Sequence, residues 1–127
     1  MLAGTVLLVD DDIGLLKLFT LTLQHAGYDV TPAASLEEAR AALDAARFDL
    51  LIIDMLVSTE NGLMLLKSRA QSLMQKGTRI VAMSSDWSFQ PHVIETGVHY
   101  FMVKPISPTS LIEVVRRVMQ QNNSGGA

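Results

Sequence analysis

The sequence predicts an α/β domain in which five strands alternate with five helices around a parallel sheet. Two observations carry this prediction. Short apolar runs, each too short for a helix, recur along the chain and end in polar residues. The segments between them are rich in leucine, alanine and valine and begin at residues that commonly cap helices. Strands that alternate with helices imply a parallel sheet with helices on both faces, joined by right-handed crossovers.

The five predicted strands are residues 5–9, 28–31, 48–54, 79–83 and 100–103. The second is short, and we expect Pro32 to end it because proline has no amide proton for a sheet ladder. The third contains four consecutive aliphatic residues and ends in Asp54, which is typical of a strand buried on both faces. A carboxylate inside such a strand would be costly. We therefore expect Asp54 at the carboxyl end, where an open α/β sheet forms its binding crevice.

The five predicted helices are residues 13–25, 36–46, 63–76, 92–96 and a last one from 108 through 118. Each starts at a capping or opening signal. These signals are Asp12, Ser35 with Glu38 three residues on, Asn61, Pro91, and Ser107 followed by Pro108. The glycines that follow three of the helix ends are Gly27, Gly77 and Gly97.

Composition narrows the possible functions of this chain of 127 residues, the size of one domain. Hydrophobic residues make up 49% and charged residues 18%, which excludes wholesale disorder. The net charge of −3 gives no sign of nucleic-acid binding. Cysteine is absent, which excludes disulfides, thiolate zinc sites and thiol nucleophiles. No signal peptide or membrane-length apolar segment is evident, so we expect a cytoplasmic protein without membrane contact.

Polar residues end four of the predicted strands: Asp10 and Asp11, Asp54, Ser84, and Lys104. Carboxyl ends of parallel strands meet at one sheet edge, so these side chains should converge. Two carboxylates about 4 Å apart repel by roughly 4 kcal/mol at an effective dielectric constant of 20. Three therefore need raised pKa values or cations. Lys104 supplies one positive charge, and all-oxygen ligands suit Mg²⁺.

Such a site is suited to phosphoryl transfer. A carboxylate beside Mg²⁺ and a lysine can attack phosphorus while the cations neutralise the phosphoryl oxygens. The product would be an aspartyl phosphate. The hydroxyl of Ser84 could donate a hydrogen bond to a phosphoryl oxygen.

Over about residues 5–120 the chain resembles the receiver domain of two-component response regulators. The matching motifs are Leu-Leu-Val-Asp10-Asp11-Asp12, Asp49-Leu-Leu-Ile-Ile-Asp54, Asn61-Gly62-Leu, Ala82-Met-Ser84-Ser85 and Val103-Lys104-Pro105. The resemblance implies a flavodoxin-like (βα)5 fold, doubly wound, with strand order 2-1-3-4-5. It also implies that a histidine kinase or phosphotransfer protein phosphorylates Asp54.

The same resemblance implies roles for the other site residues. Asp10 and Asp11 would hold Mg²⁺ together with Asp54 and the backbone carbonyl of Leu56. Ser84 and Lys104 would bind the phosphoryl group. On activation Ser84 would move toward the phosphate and the fifth-strand aromatic, Phe101, would turn inward, which would change the surface of the fourth helix, fifth strand and fifth helix.

Two stretches depart from the family pattern. Val57-Ser58 stands where Met-Pro is common, which puts the loop after Asp54 in question. The segment from Ser84 to Gly97 is short for the family. The length of the fourth helix, and with it the usual dimer face, is therefore in question. Whether the protein forms a homodimer stays open.

We expect residues 1–119 to form the receiver domain and residues 120–127 to be a flexible tail or the start of a linker. The domain would be a signalling module that catalyses only its own phosphorylation and dephosphorylation. Its output, whether a bound partner or a fused domain, is open.

Two other functions fit part of the pattern. Asp10-Asp11-Asp12 also matches the Asp-x-Asp signature of haloacid-dehalogenase-like phosphatases, with Asp10 as nucleophile. That hypothesis leaves Asp54 unexplained, and no acidic pair follows Lys104. The second alternative is a pseudo-receiver that binds partners without taking phosphate, although every polar position of a receiver is present.

Overall fold

The fold is a five-stranded parallel sheet covered by helices on both faces. The computed structural model describes residues 3–57 and 60–121. In chain order the elements are β1 Gly4–Val9, α1 Ile13–His25, β2 Tyr28–Ala33, α2 Leu36–Ala45, β3 Leu50–Asp54, β4 Leu56–Val57, β5 Glu60–Asn61, α3 Gly62–Gln75, β6 Arg79–Ser84, α4 Gln90–Glu95, β7 Tyr100–Val103 and α5 Pro108–Gln120. A single 3₁₀ turn, Trp87–Phe89, precedes α4.

The strand order is β2-β1-β3-β6-β7, and every pair in this sheet is parallel. This is the predicted order 2-1-3-4-5, because β6 and β7 are the fourth and fifth strands of the main sheet. Strand β3 lies at the centre, and all five of its residues are buried. The predicted fold class is thereby confirmed.

Alternate side chains of the central strands enter two separate apolar layers. Leu7, Val9, Leu51 and Ile53 point to the layer that α2, α3 and α4 complete. Leu50 and Ile52 belong to the layer that α1 and α5 complete. Because both faces are covered, the strands are apolar throughout, and only their ends can hold charged groups without large desolvation costs.

Side chains cap four helices as the sequence predicts. The carboxylate of Asp12 accepts the Leu15 N–H at 3.1 Å, and the Ser35 hydroxyl accepts the Glu38 N–H at 3.1 Å. Helices α3 and α5 are capped in the same way by Asn61 and Ser107. Each cap satisfies an amide that the helix leaves unpaired and sets where the helix begins.

The prediction that Pro32 ends the second strand is wrong, since β2 continues through Ala33. Strand β2 lies at the sheet edge and pairs only with β1. An edge strand tolerates proline because part of its backbone needs no partner.

Two further details differ from the prediction. The fourth helix begins at Gln90, before Pro91, and follows the 3₁₀ turn that Asp86 caps. Strands β4 and β5, which were not predicted, pair antiparallel directly after Asp54. Residues 122–127 of the expected tail lie outside the described residues.

None of the helices within residues 3–57 and 60–121 is long and apolar enough to cross a lipid bilayer.

Gly62 is a position where any side chain should be harmful. A Cβ there would lie 2.5 Å from the backbone oxygen of Asp54 and 3.2 Å from the Met55 Cα. Because both neighbours are backbone, the strand end or α3 must shift. We expect Gly62→Ala to lower the free energy of unfolding by about 1–3 kcal/mol, measured by urea denaturation.

Gly14→Ala is the matched control. A Cβ at Gly14 meets only Asp12 Oδ1, at an ordinary 3.4 Å, and alanine favours helix α1. This variant should be as stable as the wild type or more stable by up to about 1 kcal/mol. Equal destabilisation by both substitutions would contradict the steric explanation.

Candidate functional site

The candidate site lies at the carboxyl edge of the sheet, where four strands deliver polar side chains. Asp10 directly follows β1, Asp54 is the last residue of β3, Ser84 is the last residue of β6, and Lys104 directly follows β7. Strands β1, β3 and β6 are neighbours, with β7 beside β6. The topology therefore brings together residues up to 94 positions apart in sequence.

The ammonium group of Lys104 bridges two carboxylates. Its Nζ lies 2.7 Å from Asp10 Oδ2 and 2.6 Å from Asp54 Oδ2. Asp10 is only 1% exposed and Asp54 only 6%. These are charge-assisted hydrogen bonds in a partly desolvated setting, which makes them far stronger than an ion pair on the surface.

The second oxygen of each buried carboxylate accepts a local backbone N–H. Asp10 Oδ1 lies 2.9 Å from the Asp12 nitrogen, and Asp54 Oδ1 lies 3.1 Å from the Leu56 nitrogen. Both side chains are therefore held by one contact to Lys104 and one to their own loop. This fixes their orientation before any ligand arrives.

The surroundings of Asp54 disfavour its charged form. Burial raises the pKa of the Asp54 carboxyl, although hydrogen bonds from Lys104 and Leu56 oppose the rise, and the nearby Asp10 charge adds to it. Burial alone would lower the pKa of Lys104, but its hydrogen bonds to Asp10 and Asp54, and their charges, raise it. Lys104 is thus held charged, and one ammonium does not fully compensate the carboxylates.

Asp11 is the third acidic residue of the site. Asp10, Asp11 and Asp54 each offer a carboxylate oxygen within 4.8 Å of the others. Asp11 is exposed and the other two are buried, so the cluster opens to solvent on one side. A set of oxygen donors with excess negative charge fits a hard divalent cation such as Mg²⁺ or Ca²⁺.

The remaining residues predicted for the site are Ser84, Phe101 and Leu56. Ser84 is buried, and its Oγ accepts the Asp86 N–H at 3.0 Å. Phe101 is half-buried on β7, directly paired with Ala82, and packs against the layer of α2, α3 and α4. Leu56 lies two residues beyond Asp54, at the start of β4.

Sequence reasoning missed how firmly the backbone after Asp54 is held. The Met55 N–H donates to the Met83 oxygen of β6 at 2.8 Å, and the Met55 oxygen accepts the Gly62 N–H at 2.6 Å. The pair Asn61-Gly62 was the available signal, because only glycine fits against the Asp54 carbonyl. The fold and this acidic, lysine-bridged edge define a doubly wound α/β domain with a charged site at the carboxyl ends of its strands.

The model of the response regulator receiver domain family matches residues 6–116. The chain belongs to this family. Among curated relatives, the transcriptional regulatory protein GlrR of Escherichia coli (strain K12) is 32% identical over 119 residues, covering 92% of this chain and 26% of that protein. The chain thus spans about a quarter of the length of that relative.

Solved structures agree with this assignment. The chemotaxis response regulator CheY4 of Vibrio cholerae is 32% identical, with a TM-score of 0.82, over 91% of this chain and 98% of that one. A putative response regulator from Chloroflexus aurantiacus J-10-fl is also 32% identical, with a TM-score of 0.82, over 93% and 98% of the two chains. The receiver identity predicted from the motifs is confirmed, and the role of the chain is in signalling.

The raised pKa of Asp54 leads to a stability prediction in metal-free buffer. A raised pKa means that the carboxylate is less favourable in the folded than in the unfolded protein. We expect Asp54→Asn, which removes the charge at similar shape, to raise the free energy of unfolding at pH 7 by about 1 kcal/mol. As the pH falls through the raised pKa, the wild type protonates Asp54 and the difference should shrink.

Urea denaturation at several pH values measures this effect. Asp44→Asn is the control, because the hydrogen bond from Arg69, followed by its charge, lowers the pKa of that exposed carboxyl. It should not stabilise the protein at pH 7. A destabilised Asp54→Asn at pH 7 would show that the Lys104 contact outweighs burial and repulsion.

Proposed function

We propose that this receiver accepts a phosphoryl group on Asp54 in a Mg²⁺-dependent reaction and that phosphorylation switches a partner-binding surface. The observation that supports this most directly is the Lys104 ammonium within 2.7 Å of both Asp10 and Asp54, beside the cluster of three carboxylates. Receivers interact with histidine kinases, so the proposed donor is the phosphohistidine of such a kinase or of a phosphotransfer protein.

The transfer forms one bond and breaks one. A carboxylate oxygen of Asp54 attacks phosphorus, the new O–P bond forms as the N–P bond of phosphohistidine breaks, and the electron pair leaves with the imidazole. Lys104 shifts from the Asp54 carboxylate to neutralise the incoming phosphoryl oxygens. A bound Mg²⁺ would supply further positive charge there.

Four groups would hold that cation: the carboxylates of Asp10, Asp11 and Asp54, and the backbone carbonyl of Leu56. The excess negative charge and the oxygen-only donor set support this assignment. The raised pKa of Asp54 supports it too, since a bound cation would stabilise the charged carboxylate that burial and the Asp10 charge disfavour.

Ser84 would link the phosphoryl group to the neighbouring surface. Its hydroxyl accepts the Asp86 N–H, and Asp86 caps the 3₁₀ turn that begins at Trp87. Movement of Ser84 toward a phosphate would break that hydrogen bond and disturb the turn. Phe101 could then turn inward on β7, altering the surface formed by α4, β7 and α5.

The alternative phosphatase function has less support. Glu113, in helix α5, is the one acidic residue in the sequence after Lys104, so no acidic pair is available to complete that type of metal site. The receiver family membership also accounts for Asp54, which the phosphatase hypothesis leaves without a role. A non-phosphorylated pseudo-receiver is disfavoured because Asp10, Asp11, Asp54, Ser84 and Lys104 are all present.

The output of the switch belongs to the same proposal. The chain covers about a quarter of GlrR, which is described as a transcriptional regulatory protein. We propose that the switched surface acts on either a separate partner or a fused output domain. Since the proposed donor derives its phosphoryl group from ATP, the encounter would take place in the cytoplasm.

Trp87 gives a direct readout of this proposal. It is 69% exposed and lies three residues beyond Ser84. We expect Mg²⁺, followed by acetyl phosphate or beryllofluoride, to change its fluorescence in two steps. Mass spectrometry should locate one phosphoryl group on Asp54 after acetyl phosphate treatment.

Asp54→Asn should abolish the response to the phosphodonor, whereas Asp44→Asn should keep it, because Asp44 pairs with Arg69 outside the site. Phosphate on Asp10 instead of Asp54 would favour the phosphatase alternative. Binding of Mg²⁺ without any phosphorylation would favour the pseudo-receiver.

A further inference from the structure

The antiparallel hairpin β4–β5 follows Asp54 and contains Val57, one of the residues expected to depart from the family pattern. Leu56 pairs with Asn61, and Val57 pairs with Glu60. The hairpin begins two residues after Asp54 and ends at Asn61, directly before Gly62, the first residue of α3. It therefore spans the gap between the sheet edge and the next helix.

Hydrogen bonds join this hairpin to Asp54. The Leu56 N–H contacts Asp54 Oδ1 at 3.1 Å, so the position of the Leu56 peptide orients the carboxylate. The Asn61 side chain accepts the Leu63 N–H at 2.8 Å, which ties the other hairpin strand to the start of α3. A displacement of the hairpin would thus change the orientation of the Asp54 carboxylate.

Val57 anchors the hairpin in the core. Its side chain is 1% exposed and belongs to the apolar layer of α2, α3 and α4, whereas Leu56 is 55% exposed. Glu60 of the hairpin also pairs with Arg40 at 3.7 Å, with both side chains about half-exposed. Such exposed pairs contribute little, so the burial of Val57 is the stronger restraint of the two.

We propose that β4–β5 is a positioning element for the cation site and that Val57 is its positioning residue. This inference rests on the Mg²⁺ site proposed above. Val57 would supply no cation ligand itself. Its buried side chain fixes the adjacent Leu56 peptide, whose N–H orients Asp54 and whose carbonyl is a proposed cation ligand.

Groups that orient metal ligands typically change metal affinity by 10–100-fold when they are removed. Truncation of Val57 should therefore act at the site and not only on stability. We expect Val57→Ala to weaken Mg²⁺ binding about tenfold, measured by calorimetric titration. In the metal-free protein, NMR should show faster hydrogen exchange of the Leu56 amide.

Val118→Ala is the matched control. Val118 is also fully buried, but it lies near the far end of α5 in the opposite apolar layer. The same truncation there should cost comparable stability while the Mg²⁺ affinity and the Leu56 exchange stay as in the wild type. This comparison separates positioning from a general loss of packing.

Equal weakening of Mg²⁺ binding in both variants, or none in Val57→Ala, would overturn the inference. If the wild type itself binds no Mg²⁺, the proposed cation site is wrong. The hydrogen exchange of the Leu56 amide then tests separately whether Val57 positions the hairpin. Faster Leu56 exchange in Val57→Ala alone would then support the positioning role, and unchanged exchange would refute it.

Discussion

The contact of Lys104 with Asp10 and Asp54 is the interaction on which the rest of the site depends. Without it, the two almost completely buried carboxylates would repel each other strongly, because burial removes the water that would screen their charges. The three residues come from the ends of β1, β3 and β7. The strand order of the sheet is thus also the arrangement that makes the charges compatible.

The contact with Lys104 compensates the negative charge of the site only in part. One ammonium offsets part of the negative charge, and burial still raises the pKa of Asp54. Under the proposed function, this incomplete compensation would favour the binding of a cation, which together with Lys104 would stabilise an incoming phosphoryl group. Lys104 and the backbone amides of Asp12 and Leu56 hold the carboxylates in place, so the proposed reaction would require little further ordering of them.

Short sequence patterns predicted most of the helices and strands, because the signals that start a helix or mark a buried strand involve residues close together in the chain. Asp12, Ser35, Asn61 and Ser107 cap helices through side chains that reach amides two or three residues away. Burial on both faces made the strands apolar, which is visible without knowing their partners. Pro32 misled the prediction because its effect depends on which strands flank β2, and an edge position is a property of the whole sheet.

By itself the sequence determined the strand–helix alternation, the family and the set of polar residues at the strand ends, because periodicity, caps and motifs act over short spans. Only the tertiary structure decided how these residues meet. It joined Lys104 to Asp10 across 94 positions and placed Gly62 so close to the Asp54 carbonyl that no side chain fits there. It also formed the hairpin that buries Val57 beside the site. Contacts of this kind depend on the packing of distant segments, which no local pattern records.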